Sequence, residues 1–228
     1  TLVKAMSLTK VGNPDLDPYQ SMNWDATLSY YLPDSIGLAS IGFFYKDIKD
    51  FIYSQTTDLG TYELTTWRNG DSGNIYGIEL VYQQQLVFLP VDGFSFEGNL
   101  TLSESEADFL AADAGDPSRT LDFLRHSDTV ASVALSYEKY DFFVRLSGSY
   151  RSSYLDDVGD EPLTDRYVDD HFQVDLSSSY TIMDKYTVFA NVINLTNEPF
   201  KAYWGESGRL SQFEEYGWSA NTGLKFNF

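Results

Sequence analysis

The sequence predicts an all-β protein, an antiparallel up-and-down transmembrane β-barrel wall. Segments of about ten residues alternate between large apolar and small polar side chains, because successive side chains of a strand point to opposite faces. The polar positions are rich in Ser, Gly, Asn and Thr, and acidic residues concentrate in the connections. Aromatic residues make up 16% of the chain, which suits belts at a membrane interface.

The lengths of the connections favour a membrane barrel over a soluble sandwich. An apolar strand face would pack in the core of a sandwich but would face lipid in a barrel. One strand alone therefore does not decide between these two folds. Outer-membrane barrels have short turns at one end and long loops at the other. Short turns near residues 33, 91, 139 and 184 alternate with long polar loops near residues 60, 113, 162 and 203.

Composition excludes several classes of function. The 228 residues carry a formal net charge of −19, so phosphate backbones would repel the chain and we expect no nucleic-acid partner. There is no cysteine, so neither disulfides nor a thiolate metal site can form. No window holds the roughly 18 apolar residues that a membrane-spanning helix needs.

The first strands follow in chain order. Residues 22–32 place Met, Trp, Ala, Leu and Tyr opposite smaller polar residues and predict a wall strand. Residues 33–35 predict a tight turn, because Pro, Asp and Ser favour turns. Residues 39–45 predict a second strand that can continue through residues 51–53. Residues 62–67 predict a possible extra strand inside a polar excursion.

The middle of the chain repeats this plan. Residues 76–82 and 94–102 predict two wall strands joined by a turn at residues 90–93. The acidic segment 104–122 has no clear period and predicts a long surface loop. Residues 129–137 predict the strand that follows it.

The same pattern continues towards the C-terminus. Residues 142–150 and 172–180 predict wall strands, and the acidic segment 155–170 between them predicts another surface loop. Residues 187–195 predict a strand whose two faces are both partly apolar, so its orientation stays open. A final polar excursion at residues 197–210 precedes the last strand.

Residues 211–228 predict one continuous strand that ends the wall. Their alternation is almost without error, so one face is aromatic and the other is small and polar. The greasy face carries Tyr216, Trp218, Ala220, Thr222, Leu224, Phe226 and Phe228, and the polar face carries Gly217, Ser219, Asn221, Gly223, Lys225 and Asn227.

Several motifs appear in the order found in one membrane-protein family. Residues 13–18 read NPDLDP before a strand, residues 43–52 read FFYKDIKDFI, and residues 77–80 read GIEL after a Gly-rich loop. Residues 192–199 read VINLTNEP, and Phe228 is a terminal phenylalanine. Together these motifs make the chain resemble the C-terminal barrel portion of TonB-dependent outer-membrane receptors.

The resemblance implies an architecture and a function. The family's barrel has 22 strands and about nine are present here, so residues 1–228 are expected to be a C-terminal barrel segment without the plug domain. The complete receptor would import a scarce nutrient across the cell outer membrane of a Gram-negative bacterium, with no enzymatic chemistry, no cofactor and no metal. Expected partners are the TonB complex through the N-terminal region, outer-membrane lipid, the barrel assembly machinery, and a small-molecule or oligosaccharide ligand.

Candidate ligand contacts lie in the long loops. Aromatic rings there can stack on sugar rings, and carboxylates can accept hydrogen bonds from hydroxyls. The pairing of Tyr203 and Trp204 with residues 214–217 resembles the carbohydrate-uptake branch of the family. The alternative is that these aromatic residues form a girdle at the membrane interface and that the carboxylates are simply solvated. The candidates are Trp67, Arg68, Tyr154, Asp156, Asp157, Tyr203 and Trp204.

The last strand also resembles the signal that the barrel assembly machinery reads. The mechanism would be strand addition through backbone hydrogen bonds, with alternate side chains giving specificity. An ordinary final strand is the alternative. The residues that would carry the signal are Tyr216, Trp218, Leu224, Phe226 and Phe228.

Two other function classes stay open at this point. A passive porin or adhesin-type barrel would share the wall but lack a plug. A barrel enzyme could use His126 or His171, which stand beside Asp residues, although triad members are recognised by geometry rather than adjacency. The run 156–161 has oxygen ligands that calcium prefers but does not fit the EF-hand loop.

Overall fold

A computed structural model describes residues 7–58, 62–110 and 118–226. Its regular structure consists of strands and two single-turn 3₁₀ helices, Pro33–Ser35 and Pro162–Thr164. Within these described ranges, no helix has the length and apolar character needed to cross a membrane. The strands are β1 (Ser7–Val11), β2 (Gln20–Tyr31), β3 (Gly37–Lys49), β4 (Ile52–Asp58), β5 (Tyr62–Asn69), β6 (Ser72–Gln85), β7 (Phe94–Phe109), β8 (Arg119–Leu121), β9 (Thr129–Lys139), β10 (Phe142–Arg151), β11 (Tyr154–Asp157), β12 (Arg166–Val168), β13 (His171–Ile182), β14 (Tyr186–Ile193), β15 (Phe200–Trp204), β16 (Leu210–Glu214) and β17 (Ser219–Phe226).

The predicted all-β, up-and-down wall is confirmed. Nine strands of the described chain pair in the order β2-β3-β6-β7-β9-β10-β13-β14-β17, and short β8 pairs with β7 outside this path. Every neighbouring pair of the wall is antiparallel. Among the described strands, β2 and β17 are therefore the two edges of the sheet.

The register joins the apolar positions of the nine strands into one band. Leu28 lies opposite Ile41, and Ile41 lies opposite Leu80, so the band crosses from strand to strand at one height. Leu28 is 72% exposed, which is expected of a lipid-facing side chain rather than a core residue. The band continues through Leu100, Ala131, Leu135, Leu146, Leu176, Val192 and Ala220.

Pairing also settles the orientation of β14, which the sequence leaves open. Val188 lies opposite Leu224, and Val192 lies opposite Leu176, so both join the apolar band. Phe189 therefore points to the polar face, where it lies opposite Gly223 and the Lys225 ammonium sits 5.8 Å from the centre of its ring. Phe189 and Ile193 on this face, opposite the face of Val188 and Val192, make both faces of β14 look apolar in sequence.

The opposite face of the wall is polar and internally hydrogen-bonded. Asn99 donates to Ser132 at 2.7 Å, and Asn191 donates to Asn221 at 2.9 Å. Arg145 forms an ion pair with Glu97 at 2.8 Å. Small hydroxyl and amide side chains of this kind line wet barrel interiors.

The short turns use left-handed backbone. Pairs of adjacent non-glycine residues with positive φ close three of the hairpins among the described residues, which matches the twist of the flanking strands. Such conformations strain bulky side chains slightly but keep the two strands in tight register. The pairs are Asp34 and Ser35, Tyr140 and Asp141, and Met183 and Asp184.

The first acidic segment is partly strand, so the prediction of a loop from residue 104 is wrong for its first six residues. β7 runs to Phe109, and Ser103, Ser105 and Ala107 are buried on one face while Glu104 is exposed on the other. The acidic residues occupy one face only, and the small residues between them disguise the period. Residues 111–117 of this segment lie outside the described ranges.

The predicted single strand at residues 211–228 is also wrong. β16 ends at Glu214 and β17 begins at Ser219, and Gly217 has φ +72° in the break. Tyr216 and Trp218 are exposed but belong to no strand, because the left-handed turn redirects the chain. Phe228 lies outside the described residues.

Two smaller sheets stand at the long-loop end of the wall. One has the order β1-β5-β4, so the predicted extra strand at residues 62–67 is confirmed as β5, and β1 pairs with it in parallel. The other has the order β11-β12-β15-β16. It includes residues of the second acidic segment, which was expected to be a loop. The suggested continuation of the second strand through residues 51–53 is replaced by a turn at Asp50 and a new strand, β4.

A compact apolar cluster supports these outer elements. Phe51, Tyr53 and Phe109 are all at least 96% buried, and their rings meet at centroid distances between 4.9 and 5.8 Å. Leu121, Phe123 and other partly buried side chains pack against them. The loops thus fold onto the wall with a small core of their own.

An arginine placed in the apolar band should destabilise the protein in lipid. We expect Leu146→Arg to lower the unfolding free energy by about 2–4 kcal/mol, because a cation near the bilayer midplane loses its hydration. Ser147→Arg, one residue along on the polar face beside Asp175, is the matched control and should change stability little. Denaturant titration in phospholipid vesicles measures both, and equal losses would contradict the assignment of faces.

Candidate functional site

Three loops at the long-loop end carry most of the candidate residues. Loop A comprises residues 118–128 and includes β8, loop B comprises residues 152–170 and includes β11 and β12, and loop C comprises residues 194–218 and includes β15 and β16. They connect consecutive hairpins of the wall, so they emerge side by side. The strands of loops B and C form the four-stranded outer sheet, whereas β8 of loop A pairs with β7 of the wall.

Five of the seven predicted ligand residues lie in this outer sheet. β11 carries Tyr154, Asp156 and Asp157, and β15 carries Tyr203 and Trp204. β12 lies between these two strands and pairs with both. The fold therefore brings together residues that are almost fifty positions apart in sequence.

Trp67 and Arg68 are placed elsewhere. Both belong to β5 in the three-stranded sheet, where Trp67 is half exposed and its carbonyl accepts a hydrogen bond from Asn13 at 2.9 Å. Asn69 fixes the same region by bonding the backbone of Asp17 and Asp50. These two candidates are therefore separate from the outer sheet, and as adjacent residues of β5 they point to opposite faces of their own sheet.

Tyr167 is not among the residues predicted from the sequence, and it lies opposite Tyr203 in the outer sheet. Its ring stacks on Tyr203 with a centroid distance of 5.5 Å and an interplanar angle of 12°. Nearby, the Arg151 guanidinium lies 4.6 Å from the centre of the Tyr154 ring. The available signal was the short alternation of Arg166, Tyr167 and Val168 inside a segment that looked aperiodic.

Asp156 is engaged by two arginines. Arg125 of loop A approaches its Oδ1 at 3.2 Å, and Arg166 of loop B forms an ion pair with its other oxygen. Arg166 also donates to Gln212 of loop C at 2.6 Å. The side chain of Asp156 is only 19% exposed, so much of its acceptor capacity is already used.

Asp157 is in a different electrostatic state. Burial raises the pKa of Asp157 above its ordinary value, and the adjacent Asp156 charge acts in the same direction. The backbone N–H of Val158 opposes this by donating to its carboxylate at 3.1 Å. It is the carboxyl of β11 without a salt bridge among the ion pairs found in the described residues.

Asp165 is the most buried charged residue of the three loops. Its side chain is 2% exposed and accepts both terminal nitrogens of Arg119, with Nη1 at 3.0 Å. The Gly159 N–H donates to the same carboxylate at 3.0 Å. Gly205 of loop C donates its N–H to the Asp165 carbonyl at 2.8 Å.

A cavity of about 440 Å³ opens between loop A and the end of β7. Tyr76 and Tyr167 form part of its wall, and the remainder is strongly acidic. Burial, reinforced by the Asp128 charge, raises the pKa of Asp122. The carboxylates that line this cavity are those of Glu104, Glu106, Asp122 and Asp128. In the described part of the chain, no group of three or more His, Asp or Glu side chains could hold a metal ion.

The two histidines do not build a catalytic triad. His126 Nε2 lies 3.0 Å from the Ser103 hydroxyl, but its Nδ1 is 3.7 Å from Asp128 and has no hydrogen-bond partner. A triad needs that second hydrogen bond to orient the imidazole. His171 lies on β13 opposite Arg151, in a separate part of the wall.

Comparison with protein families gives one match over most of the chain. The model described as "TonB dependent receptor-like, beta-barrel" matches residues 6–195. No curated protein matches the chain.

Comparison with solved structures supports the same fold. The siderophore receptor PirA from Acinetobacter baumannii is 18% identical, with 96% of this chain and 33% of that chain covered and a TM-score of 0.64. The copper transporter OprC is 15% identical, with 94% and 32% covered and a TM-score of 0.67. The ferric yersiniabactin uptake receptor FyuA from Yersinia pestis is 18% identical, with 92% and 30% covered and a TM-score of 0.63. The chain spans about a third of the length of each.

Acidification should loosen loop A around His126. Burial lowers the pKa of His126 below its ordinary value of 6.5, so the unfolded segment takes up a proton at a higher pH than the folded one. Neutral His126 therefore stabilises folded loop A fully above pH 6.5. This contribution is lost as the pH falls towards the lowered pKa of His126. We expect faster amide exchange of residues 122–129, corrected for intrinsic pH effects, over this window.

A His126→Gln variant provides the control for this prediction. Glutamine keeps a polar group near Ser103 but does not titrate, so the pH dependence should disappear in that window. The raised pKa of Asp122 acts in the opposite direction at lower pH, because protonation favours its folded form. An unchanged pH dependence in the variant would show that another group is responsible.

Proposed function

Because the chain belongs to the TonB dependent receptor-like β-barrel family, we propose that it forms the C-terminal wall and surface loops of a receptor for a scarce nutrient. Members of this family are outer-membrane proteins of Gram-negative bacteria and are transporters rather than enzymes, which removes the barrel-enzyme alternative. Import would be driven by the TonB complex through the N-terminal region of the complete receptor, without chemistry on the substrate.

The observation that best supports this proposal is the continuous apolar band on a nine-stranded wall that, among the described strands, ends in two unpaired edges. An unpaired edge leaves backbone N–H and C=O groups without partners, and lipid cannot supply them. The solved structures that share this fold are about three times as long. In our proposal, residues 1–228 are the C-terminal segment of a 22-stranded barrel, and the plug lies in the preceding part of the protein.

The family match favours energised uptake over a passive porin or adhesin. A passive barrel would conduct or adhere without TonB, whereas a receptor holds its ligand at the outer surface before import. Uptake that stops when TonB is deleted from the host supports the proposal, and uptake that continues would support the passive alternative.

The proposed ligand surface is the outer sheet, which carries aromatic rings on both of its faces. Tyr203 is half-buried and stacks on Tyr167 on one face, whereas the register places Trp204 and Tyr154 on the other face. Asp157 on β11 has spare acceptor capacity. Flat rings beside hydrogen-bonding groups suit an oligosaccharide, the finer part of this proposal. Trp67 and Arg68 would serve as further contacts, one on each face of the three-stranded sheet.

A second ligand class follows from the solved structures. Their titles describe a siderophore receptor, a copper transporter and a ferric yersiniabactin uptake receptor. A ferric chelate also presents flat rings to aromatic side chains, so the same surface suits it. The proposed ligand is therefore an oligosaccharide or, as the second candidate, a metal chelate.

Removing the half-buried ring of Tyr203 should weaken ligand binding. We expect Tyr203→Ala in the complete receptor to raise Kd roughly 2- to 12-fold, the loss of one aromatic stacking contact of about 0.5–1.5 kcal/mol. The probes are a labelled oligosaccharide, a ferric catecholate complex and Cu²⁺, each tested for binding and for uptake. The probe that binds identifies the ligand class.

Tyr140→Ala is the matched control for this experiment. Tyr140 is a tyrosine with 77% exposure that lies at a short turn, at the opposite end of the wall from the outer sheet. Its loss should leave binding of every probe unchanged. An equal effect of both substitutions would place the ligand away from the outer sheet.

Assembly depends, in the same proposal, on the C-terminal strand. Phe226 joins the apolar band opposite Tyr186, with ring centroids 5.7 Å apart. We propose that Leu224, Phe226 and Phe228 present the signal to the barrel assembly machinery, with Tyr216 and Trp218 acting as interface anchors outside the strand.

Deletion of Phe228 should reduce the amount of receptor folded in the outer membrane. Strand addition needs the alternate side chains of the terminal strand, so a shortened signal is read less well. The measurement is the heat-modifiable, folded fraction in outer-membrane preparations, with Lys225→Gln on the polar face of the same strand as control. Normal folded yield without Phe228 would refute the signal.

A further inference from the structure

Loops A, B and C are joined by hydrogen bonds that converge on two carboxylates of loop B. The side chain of Asp165 holds Arg119 of loop A, and its carbonyl accepts the Gly205 N–H of loop C at 2.8 Å. One residue therefore connects all three loops. Its 2% side-chain exposure means that these partners replace water almost completely.

Asp156 forms a second junction with the same plan. Its carboxylate holds Arg125 of loop A and Arg166 of its own loop. Arg166 passes the connection on, donating to Gln212 of loop C at 2.6 Å and to Ser211 at 3.4 Å. Two independent routes thus run from loop A through loop B to loop C.

Further contacts tighten loop C against loop B. The Arg209 guanidinium donates to the Leu163 carbonyl at 2.6 Å. Gly205 has φ +63°, and a Cβ built there would lie 2.7 Å from the Leu163 Cα. Only glycine allows the two backbones to approach this closely.

The positively charged side chains that join the loops are arginines rather than lysines. The chain has seven arginines, and five of them, Arg119, Arg125, Arg151, Arg166 and Arg209, lie in or next to these loops. A guanidinium can bind two oxygens of a carboxylate at once and fixes direction as well as distance. Flexible lysines would join the loops without fixing their relative positions.

We propose that Asp156 and Asp165 clasp the three loops into a single rigid unit and act as positioning residues for the ligand. The clasp holds β12 beside β15, and so keeps the Tyr167 and Tyr203 rings stacked at 5.5 Å. This inference rests on the proposed function and deepens it. It assigns Asp156, expected from sequence to contact the ligand, to the support of the surface that does.

The alternative is that Asp156 touches the ligand directly and Asp165 merely stabilises loop B. The two hypotheses predict different effects of a substitution on ligand affinity and on the distance between the loops. A direct contact changes affinity without changing the distance between loops. A clasp changes the distance between loops A and C even though the substituted residue lies in loop B.

The experiment measures that distance in the complete receptor. The 228 residues contain no cysteine, so Ser118→Cys in loop A and Ser207→Cys in loop C introduce two spin labels at exposed positions. We expect a narrow distance distribution in the native background and a clearly broadened one in Asp165→Asn. Arg125→Gln tests the second junction with less risk to folding, since that side chain is 77% exposed.

Binding of the labelled oligosaccharide, the ferric catecholate complex and Cu²⁺ is measured in the same variants. We expect the Kd of the probe that binds native receptor to rise on the order of tenfold in Asp165→Asn and in Asp156→Asn, together with the broadening. Asp92→Asn, which removes the ion pair with Lys139 at a short turn, is the control and should change neither quantity.

Each result decides the proposal. Unchanged distances in Asp165→Asn and Arg125→Gln would overturn the clasp, and broadened distances with an unchanged Kd would overturn the positioning role. A raised Kd in Asp156→Asn without broadening would make Asp156 a direct contact. If native receptor binds none of the three probes, the proposed ligand function fails, and the distances alone still decide whether the clasp exists.

Discussion

Backbone hydrogen bonding is the constraint on which the rest of this structure depends. A wall with one face in lipid must pair every N–H and C=O within the sheet, because hydrocarbon offers no partners. The nine strands meet this requirement by strictly antiparallel pairing, with continuous register between most neighbours. That register in turn aligns the apolar side chains into one band and leaves the opposite face to small polar groups.

Beyond the band, the chain uses a different physical principle. The outer loops have only a small apolar core, built around Phe51, Tyr53 and Phe109, so they rely on buried ion pairs for their shape. Burying Asp165 is costly unless its partner geometry is good, and the bidentate arginine together with the Gly159 N–H meets that condition. Shape in this region therefore depends on precise polar contacts rather than on packed volume.

The sequence predicted the wall well and the surface loops poorly. Alternation is a local property, so residues 22–32 or 142–150 could be assigned without knowledge of their neighbours. The outer strands could not, because β11, β12 and β15 are three to five residues long and meet only through partners far apart in sequence. The roles of Tyr167 and Asp165 could not be predicted from the sequence, because they depend on how those strands pair. The inward Phe189 and the break at Gly217 needed the register and the backbone angle, respectively.

The length of β7 has a consequence for what can reach this protein from outside the cell. Its 16 residues span about 50 Å at roughly 3.3 Å per residue, yet the apolar band uses only the first half. The remainder of β7 extends beyond the apolar band, where it pairs with β6 and with β8 of loop A. Large objects in the surrounding medium, such as antibodies or other proteins, can therefore touch the surface loops without entering the membrane.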